Sequence, residues 1–335
     1  MKLHYAARNA LLVLLAAVAS GASAQGSAQV TLRYAGNLPA THHVTKAEEM
    51  FARLVNERTG GKIKVEHYPS GQLFKAHDVQ GAVSTGALDI GNNLNALWTK
   101  SPIADIADLP FLFTSPATTK RAWQQGTPLF DAIDTDLNKR GIKLLHFLNF
   151  GSFFDTANNV RPLIQPQDFK GLRIRSYGVM GAEALRLLGA VPVVVDPSEM
   201  YMAMQRGTID GVISGVSSID TRKLWEVSKF VTMTSASAGI LTVGMNAERF
   251  AALPDDVKRT IIEVGKDVQA WSFDQSAVQD EASVKLIRDK GLSLHVMTPA
   301  EREQLRKHLQ PMVDNWKKRA SPADQKVLDW VANQR

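Results

Sequence analysis

No cysteine occurs anywhere in the 335 residues. That excludes disulfide staples, a thiolate nucleophile and a lipobox attachment, so a hydrophobic core must carry the stability. Charge of one sign is scarce as well. The net excess is +6, spread out and without a basic run interleaved with aromatic rings, so no nucleic-acid footprint is present. Long apolar runs are missing except for one. Ala10–Ala19 (ALLVLLAAVA) follows Lys2 and Arg8 and precedes Ala22-Ser23-Ala24, the layout of a cleavable leader rather than a membrane span. Residues 1–24 are therefore expected to be a signal peptide, with the mature chain beginning at Gln25 in the exported compartment. Its net charge would be +4. Enzymatic signatures are absent too: no HExxH, GxSxG, P-loop or dinucleotide fingerprint occurs. His42-His43 is the best metal or base pair. It sits where a first helix begins, and an exposed loop role is the stronger expectation. Asp155 with a distant His assembles a hydrolase only on paper. No cofactor and no metal site is expected.

What is present centres on Gln165–Gly215. Leu172 and Ile174 alternate with Arg173 and Arg175, the period of a strand with one apolar face. Met180, Ala184, Leu187 and Leu188 follow at helical spacing, and Gly189 suits the C′ position. Val191–Val195 is wholly apolar, the pattern of a strand covered on both faces of a parallel sheet. Asp196, Pro197 and Glu199 give N-cap, first-turn and capping-box signals, with Met200, Ala203 and Met204 as the buried stripe of the helix they start. The order β-α-β-α implies a right-handed crossover unit. Arg175 then stands at the carboxyl end of a parallel strand, where α/β sheets bind ligands.

The amino-terminal half repeats the logic. Val30, Leu32 and Tyr34 alternate as a strand. Val44, Ala47, Phe51, Leu54 and Val55 form a helical stripe ending at Thr59-Gly60-Gly61, and Ile63 and Val65 begin the next strand. A second α/β lobe follows from this. Val257, Ile261, Val264, Val268, Trp271, Val278 and Ala282 keep helical spacing over Asp255–Asp289, a length of roughly 50 Å if continuous. Periodicity alone leaves open one helix across both lobes or two joined near Ser272-Phe273.

Several segments, taken in order, resemble the solute-binding proteins of tripartite ATP-independent periplasmic (TRAP) transporters, of the dicarboxylate-binding DctP type. These are TGGKIKVEHYPSGQL (Thr59–Leu73), TGALDI (Thr85–Ile90), DLPFLF (Asp108–Phe113), FKGLRIR (Phe169–Arg175), LGAVPV (Leu188–Val193), SEMYMAMQRGTIDG (Ser198–Gly211) and LPDDVK (Leu253–Lys258). The resemblance implies an α/β fold of two lobes around a cleft, the Venus-flytrap arrangement, with one long helix spanning both. Lobe I would comprise 28–152 plus about 240–272, and lobe II 153–239 plus about 273–335. It implies a monomer that takes a small organic acid and hands it to the membrane permease subunits. An exported hydrolase or a sensor subunit is the alternative.

The resemblance also implies site residues. Arg175 matches the arginine that pairs with the substrate carboxylate, a role suited to a planar fork of donors that keeps its proton. Asn37 occupies the turn after the first strand. Ser214 stands where many members carry the Asn of a Glu-Asn-Pro motif. Trp98, Tyr177 and Asn93 (beside Asn92 and Asn95) are further cleft candidates. A second arginine common before the central strand is replaced here by Gly151-Ser152-Phe153-Phe154-Asp155, and the role does not pass to Arg161. Losing a cation and gaining rings, Phe154 among them, points to a monocarboxylate with an apolar or ring-like body.

Overall fold

A computed structural model of the chain describes residues 29–113 and 115–334. The expected leader and its cleavage site lie outside the described residues. Two sheets organise the molecule. The first contains β1 (Val30–Ala35), β2 (Ile63–Tyr68), β3 (Ile90–Leu94), β4 (Ile142–Phe153) and β10 (Ser237–Asn246) in the order β2-β1-β3-β10-β4. The second contains β5 (Asp155–Asn158), β6 (Arg173–Ser176), β7 (Val191–Val194), β8 (Gly211–Ser214), β9 (Phe230–Met233) and β11 (Ser293–Val296) in the order β11-β9-β5-β8-β6-β7. In each, a parallel βαβ half meets antiparallel strands that arrive from the other lobe: β1 pairs in parallel with β2 and β3, and β6 with β7 and β8, while β10 and β5 run antiparallel to their neighbours. The two-lobe α/β expectation is borne out.

The chain changes sheets at Phe154, between β4 and β5, and returns through 234–236, between β9 and β10. Both crossings bend through left-handed backbone, at Phe154 (φ 67°) and Ser235 (φ 45°), with Gly151 nearby at φ 106°. Asp155 ties them together. Its carboxylate, fully buried, accepts from Thr234 N (3.0 Å), Ser235 N (3.0 Å), Val216 N (3.3 Å) and Ser152 Oγ (2.6 Å). A charge with four donors is a strut, so the paper role of Asp155 in a hydrolase gives way to a structural one.

Asp255–Asp289 (α4) is one unbroken helix, with α1 (His43–Arg58) packed beside it. Val257, Ile261, Val264 and Val268 are buried in the first lobe, and Ile287 joins the core of the second. Between them α4 lies along the open edge of β4 and satisfies its backbone. Gln269 Oε1 accepts from Phe147 N (2.9 Å), Ser272 Oγ from Asn149 N (3.0 Å), and Asp280 from Ser152 N (2.8 Å). An edge strand is thereby sealed by side chains of a helix instead of by another strand. Among the described residues, no helix is long and apolar enough to cross a membrane.

Three expectations change. Val191–Val194 is the edge strand of its sheet, with Val191 and Val194 51% and 73% exposed, and Pro192 fits an edge because it lacks an N–H to donate. Its apolar run is thus not covered on both faces. Asp196 does cap, accepting from Ser198 N (2.9 Å), but the turn it opens is a 3₁₀ turn, Pro197–Glu199, before α2 (Met200–Gln205), and no reciprocal bond from Glu199 is seen among the described residues. The final helices, expected with the second lobe, lie across both: His308 contacts Leu187 O (2.8 Å), whereas Trp316 Nε1 donates to Pro102 O (2.7 Å).

His146 on β4 is fully buried beside Phe51, with neither ring nitrogen hydrogen-bonded among the described residues, and burial pulls its pKa down to about 3. A depressed histidine contributes stability above its unfolded pKa that is lost as pH falls towards the folded value. Between pH ~6.5 and ~4.5 the wild type should lose about 2 kcal/mol more than His146→Leu in chemical denaturation, since the other buried groups are common to both proteins. Parallel pH profiles would show that His146 takes up its proton in the folded state.

Candidate functional site

Both sheets present the ends of their central strands to one gap, and a cavity of about 50 Å³ lies there, room for a few waters or a small acid. Arg175 closes its floor from β6. The side chain is 3% exposed, and the neighbouring strands fix its plane: Nε donates to Val195 O (3.0 Å) and Nη1 to Ile213 O (3.1 Å). Both partners are neutral, and among the described residues no carboxylate lies within ion-pair range. Burial, then the nearby Arg222, pull the Arg175 pKa down to about 10, with Asp196 and Tyr177 acting the other way. The group stays protonated at neutral pH.

Asn37, Asn93, Tyr177 and Ser214 share the cavity wall with Arg175. Asn37 Nδ2 is fixed on Asn92 O (3.3 Å), and Asn93 Oδ1 receives Leu94 N (2.9 Å) while its Nδ2 binds Ala76 O. The Tyr177 ring stands edge-on to Phe153, centroids 4.7 Å apart. Beneath it burial and Asp105 push the Asp108 carboxyl well up. Two candidates lie elsewhere. Trp98 is 1% exposed in the first-lobe core and donates to Asn93 O (3.2 Å) and Thr242 O (3.0 Å), holding β3 to β10. Phe154 is buried at the chain crossing, off the cavity wall; Phe153 and Phe150 line it instead. Phe154 follows the end of β4 in left-handed backbone (φ 67°), so strand alternation does not set its direction.

Sequence reasoning missed Arg222. It follows α3 (Val216–Thr221), and its Nε donates to Ser218 Oγ (3.1 Å) and its Nη2 to Asn37 O (2.7 Å), across the gap. Burial pulls it, too, down to about 10. Its signal was present in the spacing of Ser214, Ser218 and Arg222, four residues apart beyond the strand end. The premise that the second cation is missing is thus corrected: it arrives from another element. His42 and His43 are likewise buried, not exposed. His42 caps α1 through Nδ1 (3.1 Å from Val44 N) and meets Ser217 Oγ across the gap (3.1 Å), and His43 Nε2 donates to Asn149 O (2.8 Å). Among the described residues no group of three or more His, Asp or Glu is placed to hold a metal. With Asp196 Oδ2 accepting from Ala76 N (3.1 Å) and Lys75 Nζ donating to Ser198 Oγ (2.8 Å), the lobes are closed on each other.

The family model for DctP, bacterial extracellular solute-binding protein family 7, matches residues 34–319. The chain belongs to that family. The C4-dicarboxylate-binding periplasmic protein DctP of Rhodobacter capsulatus is 29% identical over 281 residues, 82% of each chain. A TRAP periplasmic solute-binding protein of Shewanella oneidensis, solved with bound succinate, superposes at TM-score 0.84 with 26% identity, covering 92% of this chain and 99% of its own. A Bordetella pertussis extracytoplasmic solute receptor binding pyroglutamic acid superposes at 0.85 with 22% identity, covering 91% and 99%. Membership in the DctP family makes this chain an extracytoplasmic solute receptor of the TRAP type.

The cavity geometry separates the two adjacent rings. Phe153→Leu should weaken ligand binding about fivefold in calorimetry, because an aromatic wall contact is worth about 1 kcal/mol. Phe154→Leu should leave affinity within about twofold while lowering the melting temperature. The reverse pattern would put Phe154 in the wall.

Proposed function

We propose that this receptor binds a small organic acid between its lobes, with Arg175 taking the carboxylate, and delivers it unchanged to TRAP membrane permease subunits. The observation that carries this reading is a guanidinium 3% exposed in a cavity wall with no acidic partner in ion-pair range among the described residues. A buried cation without a counter-charge is costly, and a ligand carboxylate gives it one. The named relatives, receptors for succinate and pyroglutamic acid, are consistent with an acid ligand. Asn37, Asn93, Tyr177 and Ser214 complete the contact set. Ligand entering an open cleft meets Arg175 first, and closure follows because only the closed form contacts it from both sides. The receptor acts as a monomer in the periplasm after its leader is removed, and no catalytic step is part of its work.

Arg175→Ala should cost on the order of 3–5 kcal/mol of binding free energy, and Arg175→Lys should recover only part, since an ammonium cannot reproduce the fork. A thermal-shift screen over keto, hydroxy, aromatic and lactam acids finds the ligand, and calorimetry on the two variants then measures the loss. Near-native affinity in the alanine variant would remove the carboxylate site from Arg175, and chemical turnover of the ligand would return the enzyme reading.

A further inference from the structure

The cavity wall contains a second guanidinium, partly buried. Arg222 has no acidic partner in ion-pair range among the described residues, and it lowers the pKa of Arg175, so the two cations feel each other. One anion stands nearby. Asp196, about half buried, is held below the usual carboxylate range, despite its burial, by Ser198 and the Ala76 N–H. Its charge acts on both arginines in the stabilising direction. With the rim pair Lys75 and Glu199 (3.7 Å apart) cancelling, two cations and one rim carboxylate leave the closed pocket one positive charge in excess. One ligand carboxylate neutralises it. A second would bury an uncompensated anion against Leu38, Leu97, Phe150 and Phe153.

Donor counting adds a second constraint. A guanidinium has five N–H groups, and Arg222 commits one at Nε to Ser218 and one at Nη2 to the Asn37 carbonyl. The remaining donors have no protein partner among the described residues, and a partly buried guanidinium in a cavity wall takes one from ligand or water. With the carboxylate on Arg175, an uncharged oxygen on the same ligand meets that need without adding charge. The bond to Asn37 O crosses from the second lobe to the first, so it orients Arg222 only when the lobes have met. Selection by Arg222 therefore belongs to the closed state.

We propose that Arg222 is a second ligand-binding residue, and that it selects monoanionic acids bearing an uncharged oxygen acceptor (hydroxyl, keto or lactam) besides the carboxylate held by Arg175. The inference rests on the acid-binding reading above and narrows it. Relatives named with succinate and with pyroglutamic acid show that family membership leaves ligand charge open.

Calorimetry on the mature receptor tests it with matched acids: butyrate, 2-hydroxybutyrate, 2-oxobutyrate and succinate on one skeleton, and cyclopentanecarboxylate against pyroglutamate on a ring. In the wild type, at least one oxygenated monoacid should bind about tenfold or more tighter than both its deoxygenated counterpart and succinate. Arg222→Met keeps an unbranched stem without the guanidinium, and should shrink the oxygenated-to-deoxygenated ratio to within about threefold. A purely structural loss of the Asn37 bond would weaken both members alike and leave that ratio intact. Asp196→Asn should move the monoacid-to-succinate ratio towards succinate by about threefold or more. Succinate binding more tightly than every monoacid, a ratio unmoved in Arg222→Met, or binding of none of these acids would each overturn the proposal. Arg175→Ala keeps the two readings apart. If it abolishes binding while the ratio survives Arg222→Met, only the role of Arg222 falls; if it leaves binding intact, the carboxylate site itself falls.

Discussion

A guanidinium shut away from water with only carbonyl oxygens for partners is an incomplete electrostatic arrangement, and the receptor is built around keeping it so. Val195 and Ile213 hold Arg175 in place without neutralising it. An acidic side chain in that position would stabilise the empty protein and compete with every ligand. Leaving the charge uncompensated places the favourable interaction on the incoming acid, where it contributes to affinity. Placing Arg222 in the same wall strengthens that bias, because both guanidinium groups belong to the second lobe and closure without an anion confines two like charges under the first.

The scaffold must then permit lobe movement while holding the charge still. The chain crosses between sheets at 154 and at 234–236, and the Asp155 carboxylate gathers the backbone of both crossings into one unit. Lengthwise, α4 grips the edge of β4 through Gln269, Ser272 and Asp280 and reaches the second lobe at Ser283, which donates to Asp220 (2.8 Å). Across the mouth of the cleft the contacts are few and polar: Asp196 to Ala76, Lys75 to Ser198, His42 to Ser217, Arg222 to Asn37. Polar contacts of this kind exchange readily for water, so closure stays reversible and the ligand sets the balance. Micromolar binding corresponds to only about 8 kcal/mol net, which a few such contacts can tip.

Arg175 is legible in the sequence because its position follows from local rules: an alternating strand, a helix with a glycine stop, and the carboxyl edge of a parallel sheet. Asn93 and Tyr177 follow from the same edge rule, whereas Asn37 and Ser214 came from the family resemblance. Trp98 and Phe154 went astray for a reason equally local. Trp98 closes a 3₁₀ turn and Phe154 sits at the sheet crossing, and nothing in a run of two phenylalanines says which ring faces the gap. Arg222 was overlooked because its partner, the Asn37 carbonyl, lies 185 residues away along the chain. The valine run of β7 misled because apolar composition does not report whether another strand lies beyond it.

By itself, then, the sequence determined the element order, the α/β class, the capping and stop signals, the absence of thiol chemistry and the presence of one well-placed arginine. All of these depend on neighbours within a few residues or on composition. Tertiary structure alone decided that the helix from Asp255 is continuous, that His42 and His43 are enclosed, that the last helices straddle both lobes, and that a second guanidinium shares the cavity. Each of those depends on which distant surfaces meet. Burial, and with it the meaning of a charge, is a property of packed neighbours that no single stretch of chain contains.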